Sequence, residues 1–152
     1  MTPGNSSGIN DGAAALVMMN RINAEQCNSK PLAKVIAHAT NSHDPAWFTT
    51  APIGAIKKVL DKANWNIKDV GLFEINEAFA VVPMAAMKDL NLSPEIVNVH
   101  GGACALGHPV GTSGARIIAT LISAMHKYNV QKGIASLCIG GGEATAIAIE
   151  KN

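Results

Sequence analysis

The fold of this chain is decided by residues 98–116, which read Asn-Val-His-Gly-Gly-Ala-Cys-Ala-Leu-Gly-His-Pro-Val-Gly-Thr-Ser-Gly-Ala-Arg. The stretch contains five glycines and lies between a β-like run and a strongly helical one. Because glycine adopts backbone angles that other residues reach only at a cost, the stretch predicts a tightly folded loop. In α/β proteins, functional side chains concentrate in loops at strand ends. His108, which follows a glycine and precedes a proline of fixed φ, is therefore the first candidate functional residue.

The length and composition of the chain predict one soluble globular unit. It has 152 residues, of which 48% are hydrophobic and 15% charged, and its formal net charge is +1. This balance is typical of a chain that buries a core of its own, and it excludes a disordered protein. No basic stripe interleaved with aromatic residues is present, so nucleic acid is not expected as a partner.

Targeting signals and cysteine usage both favour a cytoplasmic setting. The N-terminus has no basic and apolar signal segment, and no apolar run approaches the roughly 18 residues that span a bilayer. We therefore expect no membrane association. The three cysteines, Cys27, Cys104 and Cys138, are odd in number and unrelated in spacing, which argues against a disulfide framework.

Hydrophobic periodicity predicts alternating strands and helices. A proline at position 83 would interrupt a helix already running from Glu77, so we expect a turn at 77–82 and a helix after it. The polar segment 20–30 is compatible with a short helix. The alternation predicts an α/β fold with a mixed, mainly parallel sheet covered by helices. The predicted strands are Ala13–Met19, Pro31–Thr40, Val70–Ile75, Glu95–His100, Gly133–Ile139 and Ala144–Glu150, and the predicted helices are Pro52–Ala63, Pro83–Leu90 and Thr112–Tyr128.

Two further polar clusters follow predicted strands, Asn-Glu-Ala-Phe at 76–79 and Cys-Ile-Gly-Gly-Gly at 138–142. Because the carboxyl ends of parallel strands gather at one edge of a sheet, we expect Asn76 and Cys138 to meet beside the loop that carries His108. A thiol beside an imidazole or backbone amides serves as a base or nucleophile, and an amide or imidazole N–H stabilises a developing oxyanion. These residue types suit acyl transfer on a thioester.

Other interpretations of the same residues carry less weight. His100, Cys104 and His108 are four residues apart, which on a helix would present a metal-binding face. The surrounding glycines and Pro109 disfavour a helix there, so we expect no metal site. The loop also fits neither of the common glycine-rich phosphate motifs. Cys104 is expected to be structural, and Glu77 either holds the loop through backbone N–H groups or takes part in catalysis.

The motifs together resemble the C-terminal half of a thiolase, and within that family they are most similar to the acetyl-CoA acetyltransferases. The resemblance covers essentially the whole chain, and it implies a thiolase-like layered fold. It also implies a boundary, with residues 1–30 as the tail of the thiolase N-terminal domain and residues 31–152 as the C-terminal domain. The motifs are Gly-Asn-Ser-Ser-Gly-Ile-Asn-Asp-Gly-Ala at 4–13, Asn-Glu-Ala-Phe at 76–79, Gly-Gly-Ala-Cys-Ala-Leu-Gly-His-Pro at 101–109 and Cys-Ile-Gly-Gly-Gly at 138–142.

The resemblance implies a role for each matched polar position. Cys138 corresponds to the general acid/base that removes an α-proton from the second acetyl-CoA. His108 corresponds to the histidine that activates the nucleophilic cysteine and donates to the thioester oxygen, and Asn76 to the residue that holds a water in the same oxyanion hole. Gly140 corresponds to the residue whose backbone N–H contributes to the second oxyanion hole.

The resemblance also implies substrates and partners. Ser7, Ala78 and Phe79 match positions that line the pantetheine channel. The implied reaction is the reversible condensation of two acetyl-CoA to acetoacetyl-CoA and CoA, with no cofactor and no metal, in a homodimer or homotetramer. One alternative is a degradative 3-ketoacyl-CoA thiolase, which the Cys-Ile-Gly-Gly-Gly motif disfavours because a Cys-Ile-Gly-Leu-Gly pattern is expected there. Another is a non-catalytic fragment that binds an acyl-CoA or a partner chain.

One departure from the family pattern bears on activity. Thiolases carry an acylated cysteine in a loop that resembles Cys-Ser-Ser-Gly, and no such stretch occurs in these residues. We therefore expect the chain to be inactive alone and to expose apolar surface where another part of the enzyme would pack. His100, where the family more often has Asn, is a smaller departure.

Overall fold

A computed structural model, which describes all residues from 1 to 152, contains one mixed sheet of four strands. The sheet order is β1-β4-β3-β2, where β1 is Ala33–Ser42, β2 is Leu72–Ile75, β3 is Lys132–Ile139 and β4 is Glu143–Lys151. The β1–β4 and β4–β3 pairs are antiparallel, and β3–β2 is parallel.

The α/β class and the mixed sheet are confirmed, but the expectation of a mainly parallel sheet is wrong in this chain. The reason is the hairpin between β3 and β4, because strands joined by a tight turn must run antiparallel. Gly141 and Gly142 form that turn with φ of +96° and +90°, angles that an L side chain rarely adopts. The site-bearing pair β2–β3 keeps the expected parallel arrangement.

Five α-helices accompany the sheet, and three of them pack on its two faces. Helices α2 (Ala51–Ala63) and α3 (Val81–Leu90) cover one face and share a cluster of 18 buried residues with it. Helix α5 (Ser113–Lys127) covers the other face through a cluster of seven. Side chains along β3 alternate between the two faces, since Ile134 belongs to the first cluster and Ala135 to the second. The other two helices are α1 (Arg21–Gln26) and α4 (Ala103–Leu106).

Short 3₁₀ turns complete the chain at Pro3–Asn5, Pro45–Thr50, Ile67–Asp69 and Pro94–Ile96. Most predicted elements are present within a few residues of their predicted ends, including the short helix expected within 20–30. None of the helices is both long and apolar enough to cross a membrane.

Two predicted strands are wrong. Ala13–Met19 forms no strand and is largely exposed, with Val17 at 90% exposure, because no other part of this chain pairs with it or covers it. Glu95–His100 makes only a single parallel bridge, from Val97 to Phe73. A 3₁₀ turn precedes that bridge, and Asn98 follows it with a left-handed φ of 49°, so the strand cannot extend.

Two helices differ from the predicted structure: α3 starts earlier than expected, and α4 was not expected at all. Helix α3 begins at Val81 and includes Pro83 as its third residue. Since the first four N–H groups of a helix have no partner inside it, a proline there removes no hydrogen bond. Helix α4 is a single turn between Gly102 and Gly107, inside the loop where we expected no helix.

Candidate active site

The candidate site lies at the carboxyl ends of β2 and β3, where the sequence placed it. Asn76 is the first residue after β2, and its backbone N–H donates to the Ser136 carbonyl at 2.9 Å, which continues the parallel pairing. The Asn76 side chain is buried at 1% exposure. A polar side chain this deep needs partners, and it finds them in the loop and in α5.

His108 is the partner that the sequence predicted for Asn76. Nδ2 of Asn76 lies 3.4 Å from Nε2 of the imidazole. On the other side of the ring, Nδ1 lies 2.6 Å from Oγ of Ser113, which in turn donates to the Pro109 carbonyl at 3.1 Å. The ring is therefore held at both nitrogens by buried or half-buried groups.

Two charged residues that sequence reasoning missed complete this network. Nη1 of Arg116 on α5 lies 3.0 Å from Oε1 of Glu74 on β2, and Nη2 donates to Oδ1 of Asn76 at 3.4 Å. The side chain of Glu74 is only 3% exposed. The available signal was a carboxylate in the otherwise apolar run Leu-Phe-Glu-Ile, because a buried charge needs a partner of opposite sign.

Burial sets the protonation of this cluster. Desolvation raises the pKa of Glu74 from its ordinary value of 4.5 to about 7, and the Arg116 charge only partly opposes it. Desolvation and the same guanidinium lower the pKa of His108 below its ordinary value of 6.5. The imidazole is therefore neutral at neutral pH, with one nitrogen free to accept a proton.

Cys138 occupies the same sheet edge but a different environment. It is 7% exposed and belongs to the cluster between the sheet and α2–α3, whereas Asn76 faces α5 through Arg116. The expected meeting of Cys138 with Asn76 is thus limited to adjacent strand ends, without a hydrogen bond between the side chains. Burial raises the pKa of the Cys138 thiol, which keeps it protonated at neutral pH.

Gly140 is the first residue of the exposed turn that follows Cys138 and β3. No heavy atom from elsewhere in the chain, beyond its sequence neighbours, lies within 4 Å of the position that a Cβ at Gly140 would take. Its surroundings are therefore open on the side that a Cβ would take.

The three residues expected to line a substrate channel lie together. The backbone N–H and Oγ of Ser7 both donate to the Ala78 carbonyl, at 3.1 and 3.0 Å. Its neighbour Ser6 forms an antiparallel bridge with Phe79. The N-terminal segment continues to the histidine loop, where Gly8 accepts from the backbone N–H of His108 at 2.9 Å. One strip of backbone thus joins the predicted channel residues to the imidazole.

Glu77 holds the loop, which is one of the two roles that the sequence left open. Its carboxylate accepts from Nδ2 of Asn98 at 2.9 Å and from the backbone N–H of Cys104 at 3.0 Å, at the start of α4. The Asn98 side chain also accepts from the backbone N–H of Ile75 and donates to its carbonyl, so it pairs with the edge of β2 as a neighbouring backbone would. Burial and the Glu77 charge raise the pKa of Cys104.

The possible metal face of His100, Cys104 and His108 is not assembled. Only Cys104 lies in α4, while the His100 ring packs against Tyr128 at a centroid distance of 5.6 Å. No group of three or more His, Cys, Asp and Glu side chains is arranged to hold a metal ion.

Comparison with known proteins identifies the fold. Residues 29–151 match the thiolase C-terminal domain, and the chain belongs to the thiolase family. It is 48% identical over 151 residues to the cytosolic acetyl-CoA acetyltransferase of Mus musculus. The crystal structure of the Bacillus anthracis acetyl-CoA acetyltransferase superposes with a TM-score of 0.95 at 44% identity. The crystal structure of human mitochondrial 3-ketoacyl-CoA thiolase superposes with a TM-score of 0.92 at 36% identity.

These matches cover nearly all of this chain but only part of each relative. The alignment with the mouse protein covers 99% of this chain and 38% of the relative. The two crystal structures are matched over 97% and 100% of this chain, and in each case over 38% of the solved chain. The chain therefore spans about two-fifths of the length of the proteins it resembles.

Proposed function

We propose that this chain is the C-terminal catalytic part of an acetyl-CoA acetyltransferase, which condenses two acetyl-CoA to acetoacetyl-CoA and CoA. The observation that carries the proposal is the pairing of the Asn76 amide with the His108 imidazole beside the strip that joins Ser7, Ala78 and Phe79. The name shared by the mouse and Bacillus anthracis relatives supports the choice of substrate.

In this proposal the site residues divide the proton chemistry between them. Neutral His108 accepts the proton of a nucleophilic thiol and then donates to the thioester oxygen, beside a water held by Asn76. Cys138, protonated at rest because of its burial, gives its proton to the CoA thiolate that leaves when the first acetyl group is transferred, and the resulting thiolate removes an α-proton from the second acetyl-CoA. The backbone N–H of Gly140 faces the oxygen that becomes negative in that step.

The nucleophilic thiol itself is proposed to come from outside these 152 residues. Cys27 and Cys104 are exposed and lie apart from the His108 imidazole's hydrogen bonds, and neither sits in a Cys-Ser-Ser-Gly stretch. We therefore expect no turnover from these residues alone. Residues 1–30 are proposed as the tail of the N-terminal domain and 31–152 as the C-terminal domain, in a cytoplasmic homo-oligomer that uses no cofactor.

The test is a chimera in which these residues replace the matching segment of the mouse cytosolic relative. We expect the chimera to cleave acetoacetyl-CoA in the presence of CoA, and Cys138→Ala and His108→Ala each to lower kcat by about 10²–10⁴-fold. Cys27→Ala, at an exposed position, is the matched control and is expected to retain activity. Activity that survives both Cys138→Ala and His108→Ala would contradict the proposal.

The solved 3-ketoacyl-CoA thiolase supports a second candidate, a degradative enzyme that acts on longer 3-ketoacyl-CoA. The same chimera separates the two, since a degradative chain is expected to cleave longer substrates better than acetoacetyl-CoA. Binding of acetyl-CoA without any turnover would instead favour a non-catalytic module.

A further inference from the structure

We propose that Arg116 is a positioning residue that sets the amide orientation of Asn76 and, through it, the tautomer of His108. The proposed result is an imidazole whose proton sits on Nδ1 and whose unprotonated Nε2 accepts from the Asn76 amide. The assignment of the tautomer stands on hydrogen-bonding geometry alone. Its catalytic meaning rests on the proposed function, in which the His108 imidazole accepts the proton of the nucleophilic thiol.

The argument begins with the guanidinium of Arg116, which has donors and no acceptors. Nη2 of this group lies 3.4 Å from the Asn76 amide atom that faces it, so that atom must be the oxygen. The amide nitrogen is then directed away from Arg116 and toward His108, 3.4 Å from Nε2. Because an amide nitrogen only donates, Nε2 must accept and cannot carry a proton.

The contacts on the opposite side of the imidazole agree with this tautomer. With Nε2 as the acceptor, Nδ1 carries the proton and donates to Oγ of Ser113 at 2.6 Å. The Ser113 hydroxyl hydrogen is then left for the Pro109 carbonyl at 3.1 Å. Burial of Ser113, at 1% exposure, keeps water from replacing either contact.

Glu74 explains why an arginine is stable at this position. The side chain of Arg116 is only 20% exposed, and Glu74 supplies the acceptor for Nη1 at 3.0 Å while Nη2 is left for Asn76. The planar fork of arginine reaches both acceptors at once, and the single ammonium group of lysine does not reproduce that geometry.

The experiment is long-range ¹H–¹⁵N NMR of the histidine rings in the 152-residue chain, which distinguishes the two neutral tautomers. The unaltered chain is expected to show His108 with Nδ1 protonated and Nε2 bare. Arg116→Met is expected to raise the population of the Nε2–H form, while Glu74→Gln, which keeps an acceptor for Nη1, leaves the tautomer unchanged. Lys57→Met, which breaks the exposed Lys57–Asp89 pair, is the matched control.

Two outcomes would overturn the inference. One is an Nε2–H tautomer in the unaltered chain, a result that requires no variant to fold. The other is a folded Arg116→Met chain that keeps Nε2 bare.

Kinetics in the chimera tests the proposed function separately. Arg116→Lys is expected to lower kcat at least tenfold with little change in KM. A chimera without activity would refute the function and leave the NMR result standing.

Discussion

At the scale of single residues, the side chain most affected by its surroundings is Glu74. Its carboxyl is buried between β2 and α5, and burial raises its pKa from 4.5 to about 7 even though Arg116 lies 3.0 Å away. The folded chain therefore holds a proton on Glu74 over a pH range in which the unfolded chain has released it. This difference makes the stability of the fold depend on pH.

The sign of that dependence follows from proton binding. Between about pH 4.5 and 7 the folded state binds more protons than the unfolded state, so the free energy of unfolding falls as pH rises and levels off above that range. Glu74→Gln removes this contribution. We expect the stability of the unaltered chain relative to Glu74→Gln to fall by on the order of 3 kcal/mol across the window.

Urea unfolding of both chains at several pH values measures this difference. His108 is present in both chains, so the direct effect of its lowered pKa is common to the two curves. Glu95→Gln is the matched control because it removes an exposed carboxylate in place of a buried one. A difference that stays constant with pH, or rises with it, would refute the assignment of a raised pKa to Glu74.

At the scale of elements, the single-turn helix α4 depends on one carboxylate. Glu77 accepts the backbone N–H of Cys104 near its start and also binds Asn98. Gly102, the residue before α4, lies so close that a Cβ there would overlap the Glu77 carboxylate. Glu77 and Gly102 thus form one structural unit that sets the start of the His108 loop.

We expect Glu77→Ala to destabilise the chain by about 1–3 kcal/mol, because it leaves the Cys104 N–H and the Asn98 amide without their acceptor. Gly102→Ala is expected to cost a similar amount, since its methyl group displaces the same carboxylate. The double variant is expected to cost much less than the sum of the two. Urea unfolding of the four chains measures this coupling, and strictly additive losses would show that the two residues act separately.

The elements themselves show what periodicity can predict. Helix α5 and strands β3 and β4 follow from apolar spacing that their packing clusters confirm. The prediction of a strand at Ala13–Met19 is wrong, because composition does not reveal whether another part of the same chain will cover an apolar segment. Helix α3 was placed two residues late because a proline is tolerated in the first turn.

At the scale of the whole molecule, the site combines predictable and unpredictable parts. Asn76 and His108 were candidates because each follows a strand or lies in a glycine-rich loop, and the structure places them in contact. The Arg116–Glu74 pair joins residues 42 positions apart on a helix and a strand. That contact depends on how α5 is rotated against the sheet, which local sequence patterns do not specify.

At the scale of the whole molecule, residues 9–22 also form a segment of exposed apolar side chains. Ile9 is 99% exposed and Val17 90%, and Met18, Met19 and Ile22 are also exposed. Apolar side chains clustered in one exposed segment of this kind favour contact with other protein surface over water. The resemblance to a larger enzyme leads us to expect exposed apolar surface, and this segment is our candidate for it.

We expect the isolated chain to bind a hydrophobic dye and to self-associate, and the double variant Val17→Ser, Met18→Ser to reduce both effects. Because these side chains are exposed, the substitutions should change the free energy of unfolding by less than about 0.5 kcal/mol. Met84→Ser, at an exposed position on α3, is the matched control and should leave self-association unchanged. Dye fluorescence and light scattering measure the two effects. If the unaltered chain is a monomer that binds no dye, this segment does not drive self-association. The exposed apolar residues would then need another explanation.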